Sequence, residues 1–280
     1  MMGKVTKKRL EEIRRELTEK DSAVLEAIHS CRYLTGQQLV RLYFSGDTET
    51  RTAAFSAAYR CLNRLKDWGL IRSLDRRIGG VRAGSGSYVW ALTPAGFRLI
   101  QLNSAGQKIH RQYREPSPAF LEHTLLISEA WLQLREICAR HSMTLADVQF
   151  EPSCWRYYAL RLGKQLILKP DMYAVTQSGG YEDHWFIEID RDTETVARVL
   201  EKCERYIHYL HAGEAQKQHG VFPYVVWIVP EVKRKNSITK HIRNQYPRGP
   251  DIFIVITPDE LESLLVGGAE KHLKNLPDNP

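Results

Sequence analysis

Over the first hundred residues apolar positions recur at helical spacing, switch to alternation, and return to helical spacing. Residues 4–20 are charged with few apolar positions, which predicts a lead-in helix or arm. Asp21-Ser22 can cap a helix over 23–33, where Val24, Leu25, Ile28 and Cys31 share a face. Thr35 caps a short helix through Leu39, Leu42 and Phe44, and 45–48 read as a loop. A longer helix over 52–68 places Phe55, Ala58, Leu62 and Leu65 inward, with Gly69 ending it. Residues 70–77 and 87–92 then read as two strands of a hairpin with a glycine-rich tip between them. Thr93-Pro94 opens another helix, as N-cap and first helical residue.

The polar run 103–118 ends in two prolines and marks a domain boundary. Beyond it the pattern predicts a helix over 120–141 and strands over 147–151, 155–160, 165–168, 170–176 and 184–190. A helix over 193–211, a strand over 224–229, a basic helix over 234–246, a strand over 251–256 and a helix over 258–266 follow. A mixed sheet flanked by helices accommodates that order. The expected organisation is an arm (1–20), a three-helix-plus-hairpin domain (21–102), a linker (103–118) and an α/β domain (119–280), an α+β chain as a whole.

Composition narrows the function classes. Of 280 residues 43% are hydrophobic and 26% charged, ample for a core, which excludes disorder as the dominant state. No run approaches the ~18–20 apolar residues that span a bilayer. The basic N-terminus lacks an apolar stretch of signal-peptide type, and five scattered cysteines without C-x-x-C argue against a disulfide framework or cysteine zinc site. A cytoplasmic protein without membrane partners is expected. Charge is lopsided: residues 1–100 carry 18 Lys/Arg against 10 Asp/Glu, and residues 101–280 carry 22 against 23. The net +7 therefore belongs to the first third, as in a polyanion-binding module joined to something else.

The stretch GLIRSLDRR…GSYVWALTPAGFRLI, in that order of elements, resembles the winged helix-turn-helix domain over residues 21–102. The resemblance implies binding of double-stranded DNA. On the helix over 52–68, Ser56, Tyr59, Arg60, Asn63 and Arg64 lie away from the expected apolar face, with Arg51 at its start, suited to base edges and phosphates. Arg72, Arg76, Arg77 and Arg82 belong to the hairpin, suited to adjacent phosphates or the minor groove.

In the second half Pro170-Asp171 opens one strand and Glu188-Ile189-Asp190 ends the next. Residues i and i+2 of a strand share a face, so Glu188 and Asp190 point the same way, and a hairpin would bring Asp171 near Glu188. Convergent carboxylates of this kind can hold Mg²⁺ or Mn²⁺. The arrangement resembles the PD-(D/E)xK nuclease superfamily, which implies Asp171 and Glu188 as metal ligands, with Glu122 or Glu129 as a further helix glutamate. Asp190 stands where that superfamily has its lysine. Lys202-Cys203-Glu204-Arg205-Tyr206 resembles a Q-x-x-x-Y element, making Lys202, or alternatively Arg191, the replacement. The catalytic set implied is Asp171, Glu188, Asp190 and Lys202.

The stretches YLTGQQLVRLYF, FLEHTLLISEAWLQL, LKPDMYAV and FIEIDRDTETVARVLEKCERYIHYL resemble the replication-relaxation family of plasmids and integrative elements. That implies an accessory role in replication, relaxation or transfer, with a relaxase or similar protein as partner and a homodimer as one possible state. His123 sits where that family often has a histidine. Three functions stay open: a DNA-binding accessory factor with a degenerate nuclease-like domain, a metal-dependent endonuclease or nickase, and a winged-helix transcriptional regulator.

Overall fold

The structure, a computed structural model, describes residues 5–46, 50–78, 87–103, 115–159, 163, 165–247 and 251–274; side chains at 75–78, 87, 103, 271, 272 and 274 fall outside that description. Two compact units divide the chain, Met1–Leu132 and Gln133–Pro280.

The first unit opens with α1 (Lys7–Glu16), whose apolar pair Leu10 and Ile13 is buried. Helix α2 (Glu19–Cys31) starts earlier than the apolar period predicts. Its cap is Thr18 rather than Asp21-Ser22, and Asp21 closes a capping box: Thr18 N–H donates to Asp21 Oδ2 and Asp21 N–H to Thr18 Oγ1, both at 3.1 Å. After β1 (Leu34–Thr35), Thr35 caps α3 (Gly36–Tyr43) as expected. Helix α4 (Arg51–Asp67) buries Ala54, Ala58, Cys61, Leu62 and Leu65. Phe55, expected inward, is 38% exposed. The buried positions form one continuous stripe at helical spacing, and 55 lies at its edge. Gly69, at φ +70°, ends the helix in the left-handed region that glycine enters without steric cost.

Strands β2 (Ile71–Ile78) and β3 (Ser87–Leu92) pair antiparallel from Ile71↔Leu92, with a register shift between Ser73 and Arg77. Strand β1 joins the other edge of β3, giving the order β1-β3-β2. Thr93 then starts α5 (Pro94–Asn103): Gly96 N–H donates to its hydroxyl oxygen at 3.2 Å, and that hydroxyl donates to the Gly69 carbonyl at 2.5 Å. A Cβ at Gly96 would stand 2.2 Å from the Leu70 carbonyl oxygen, so this close approach requires glycine. Helix α6 (Pro118–Arg140) begins in this unit, where Leu121 and Leu125 pack with Tyr33, Leu74, Val89 and Ala91.

The second unit contains β4 (Thr144–Phe150), β5 (Arg156–Ala159), β6 (Gln165–Leu168), β7 (Met172–Ser178) and β8 (Tyr181–Ile189). It continues with α7 (Val196–Ala212), α8 (Glu214–His219), β9 (Tyr224–Ile228), α9 (Val232–Gln245) and β10 (Phe253–Ile256). A 3₁₀ turn (Pro258–Glu260), α10 (Leu261–Gly267) and α11 (Ala269–Lys274) close it. The five-stranded sheet runs β10-β9-β8-β7-β4, with β4, β7 and β8 antiparallel in turn and β8, β9 and β10 parallel. Strands β5 and β6 form a separate hairpin. The chain is thus a mixed α+β protein with a mixed sheet, in keeping with the sequence pattern.

Tyr173 and Phe186 of the sheet, Val199, Cys203 and Tyr206 of α7, and Ile238 and Ile242 of α9 share one buried cluster, which fixes α7 over β8. All five cysteines are free and buried. Burial pushes the thiols of Cys31, Cys61, Cys154 and Cys203 up to about 12 and raises that of Cys138. Among the described residues no helix is long and apolar enough to cross a membrane.

Candidate functional site

Two clusters carry candidate chemistry, one in each unit. In the second, the β7–β8 register runs through Met172↔Ile187, so Asp171 stands opposite Glu188 as the hairpin reading requires. Asp171 Oδ2 accepts from the Ile189 N–H at 2.8 Å. Glu188 is 1% exposed and takes two donors from α7: Lys202 Nζ at 2.8 Å to Oε2 and the Tyr206 hydroxyl at 2.6 Å to Oε1. Lys202 and Tyr206 are four residues apart, hence on one helical face, and both reach the same carboxylate.

Burial pushes the Glu188 carboxyl up to about 7; the Lys202 ammonium opposes that rise and the Asp171 charge adds to it. Burial works against the charge on Lys202, but Glu188 and then Asp171 outweigh it and hold the ammonium above its ordinary value. These two directions have one cause. Two carboxylates surround one ammonium, and a single retained proton brings the buried group to neutrality. Burial and the Glu188 charge also hold the Tyr206 phenol well above its ordinary value, so it stays a donor.

Asp190 lies at the end of the same strand but serves another partner. Arg234 of α9 grips both its oxygens, Nε at 3.1 Å and a terminal nitrogen at 2.7 Å, and also donates to the Glu194 carbonyl at 2.7 Å. That bidentate pair holds the Arg234 guanidinium above its ordinary value. Arg234 opens the segment expected as a basic helix, and the fold turns its guanidinium inward, leaving 10% of the side chain exposed.

A divalent cation does not fit these residues as they stand. Both Glu188 oxygens face an ammonium or a phenol hydroxyl, both Asp190 oxygens face a guanidinium, and one Asp171 oxygen accepts a backbone N–H. Among the described residues no group of three or more His, Cys, Asp or Glu is placed to hold a metal ion. The helix glutamates suggested for such a site sit on the part of α6 that belongs to the first unit. There Glu129 pairs with Arg41 at 2.5 Å and accepts from Gln38 at 3.2 Å, Glu122 is exposed, and His123 is half-buried.

In the first unit, Arg51, Ser56, Tyr59 and Arg60 of α4 are exposed together, Tyr59 by 68%. The Arg51 guanidinium lies over the Phe55 ring, 5.6 Å from its centroid. Asn63 is half-buried. Arg64 is tied inward: a terminal nitrogen meets Asp21 Oδ1 at 2.6 Å, so this arginine fastens α4 to α2. Arg72 is half-buried on β2. The side chains of Arg76 and Arg77 lie outside the described residues, as does Arg82 altogether.

Asp21 is wholly buried, which raises its pKa, yet the bonds from Arg64, Thr18 and Cys61 outweigh burial and leave it below its ordinary 3.8. A carboxyl lowered by folding contributes stability that is full above pH 3.8 and is lost as pH falls through the folded value. Asp21→Ala removes a cap and the partner of a guanidinium. It should lower the unfolding free energy by about 2 kcal/mol, read as an earlier urea midpoint. An unchanged midpoint would show that α2 and α4 do not depend on this carboxylate.

A mixed α+β chain with a basic helical first unit and a buried acidic hairpin end in the second is the class that fold and site define. Residues 25–225 match the replication-relaxation family, and the chain belongs to it. Membership suggests a role in plasmid or mobile-element replication or relaxation. No curated protein and no solved structure matches the chain.

Proposed function

We propose that this chain is a DNA-binding accessory protein of plasmid or mobile-element replication, relaxation or transfer. The first unit grips the duplex as a winged helix-turn-helix domain. The second is a nuclease-like domain of PD-(D/E)xK type in which the acidic positions no longer serve cleavage, leaving it to contact more DNA or a relaxase-like partner. The observation that carries this reading is the outward face of α4, where Arg51, Ser56, Tyr59 and Arg60 stand exposed with no carboxylate until Asp67. The order of three helices, a hairpin and a helix in residues 19–103 supports it, as does the basic excess of that part of the chain. Loss of cutting is supported by Glu188 and Asp190, whose charges are met by Lys202 and Arg234.

Arg60→Ala should weaken binding to any duplex about equally and lower the slope of log affinity against log salt by roughly one unit, as for one lost phosphate contact. Unchanged affinity and slope would count against α4 as the duplex-facing element. Supercoiled plasmid incubated with the protein and Mg²⁺ or Mn²⁺ should stay closed. Nicking that disappears in Asp171→Ala would instead establish the nickase reading, with Asp171 and Glu188 as the metal ligands.

A further inference from the structure

Phe55 and Tyr59 are four residues apart on α4 and are 38% and 68% exposed. Spacing of four puts both rings on one side of the helix. Ser56 and Arg60 are exposed beside them, and Arg51 covers part of Phe55. The inner stripe of α4 is filled by Ala54, Ala58, Cys61, Leu62 and Leu65; Phe55 stands at its edge, lining an open groove with Gln37, Val40 and Arg41 of α3, and Tyr59 stands clear of it. A single exposed aromatic is commonplace. Two at helical spacing, between two arginines and on a stretch free of carboxylates, form an apolar strip in a cationic frame.

A protein surface meeting that strip would have to bring its own carboxylates. A DNA major groove brings phosphates along both walls and is about 12 Å wide, enough for one helix. On its floor the base edges offer polar donors and acceptors and a single kind of apolar group, the 5-methyl of thymine. We infer that Phe55 and Tyr59 are specificity-determining residues that read thymine 5-methyl groups, so the preferred site carries thymines under the first half of α4. The inference rests on the DNA-binding reading of the first unit.

The probe is a set of duplexes recovered by the full chain from a pool with a randomised core, each remade with deoxyuridine in place of thymidine. That change removes one methyl per base and leaves every hydrogen-bonding group in place. Burial of one methyl predicts affinity lower by about fourfold for each methyl read. The Phe55→Ala/Tyr59→Ala double variant should bind both forms equally, while Tyr59→Phe keeps the ring and the preference. Equal affinity of the unmodified protein for the two forms overturns the inference while leaving DNA binding intact. A preference that survives in the double variant also overturns it, by assigning the methyl contact to other residues. Recovery of no duplex above competitor removes the DNA-binding reading itself, and the inference with it. The comparison in the unmodified protein needs no variant to fold.

Discussion

Lys202→Met should lower the unfolding free energy of the second unit by about 3 kcal/mol and its thermal midpoint by roughly 6–12 °C. The substitution keeps most of the side-chain volume and removes only the ammonium. Glu188 then remains 1% exposed beside Asp171 with a phenol as its other donor. At pH 8, where Glu188 is ionised in the unmodified protein, losing its ammonium partner leaves the carboxyl either charged away from water or obliged to take up a proton, and either outcome costs more than the pair contributes. Lys202 keeps 30% of its side-chain surface exposed, which places the effect at the lower end of the usual range. Glu188→Gln added to Lys202→Met should recover much of the loss, since neither charge is then present. Equal stability of the single variant and the unmodified protein would mean that Lys202 does not neutralise the hairpin end.

The second large effect is on pH. Folding raises Glu188 from an ordinary 4.5 to about 7, so the folded state holds a proton that the unfolded chain has released. That contribution is fully present below pH 4.5 and is lost as pH rises through about 7. Across that window its loss amounts to about 3 kcal/mol. Glu188→Gln mimics the protonated form at every pH and serves as the reference. Urea unfolding at a series of pH values should show the unmodified protein losing stability relative to Glu188→Gln between pH 5 and about 7, then running parallel above it. Parallel curves throughout would show that Glu188 keeps its ordinary acidity, with Lys202 fully offsetting burial.

Much of this hairpin end is legible in the sequence. Strand alternation puts Glu188 and Asp190 on one face, pairing of the two strands as a hairpin brings Asp171 toward Glu188, and the spacing of four between Lys202 and Tyr206 puts both on one helical face. None of these signals reveals that the last two converge on the same oxygen pair, which follows from α7 lying over β8. The partner of Asp190 was not legible at all. Arg234 is 44 residues further along the chain, and its neighbours Lys233 and Lys235 make the segment read as solvent-facing. Sequence-distant ion pairs leave no periodic trace.

Local patterns failed in a similar way. Phe55 fits an apolar stripe as well as Ala54 does, and only packing against neighbouring elements selects the smaller residue. Asp21 looks like a cap from its type, but Thr18 takes that role because the helix extends a turn further back. Helices α8 and α11 span six residues each, too short for apolar periodicity to register. Strand β4 begins at Thr144 rather than at 147 because pairing with β7 continues past a bulge between Leu145 and Asp147.

The buried cysteines have a practical consequence. Cys31 and Cys61 belong to the first unit, and Cys138, Cys154 and Cys203 to the second. Buried and with their acidities suppressed, these thiols should react slowly with alkylating reagents while the chain is folded. Each becomes reactive only when its own surroundings open. Mass-resolved alkylation therefore offers two native clocks in one polypeptide, one timing the excursions of the basic head and the other those of the sheet.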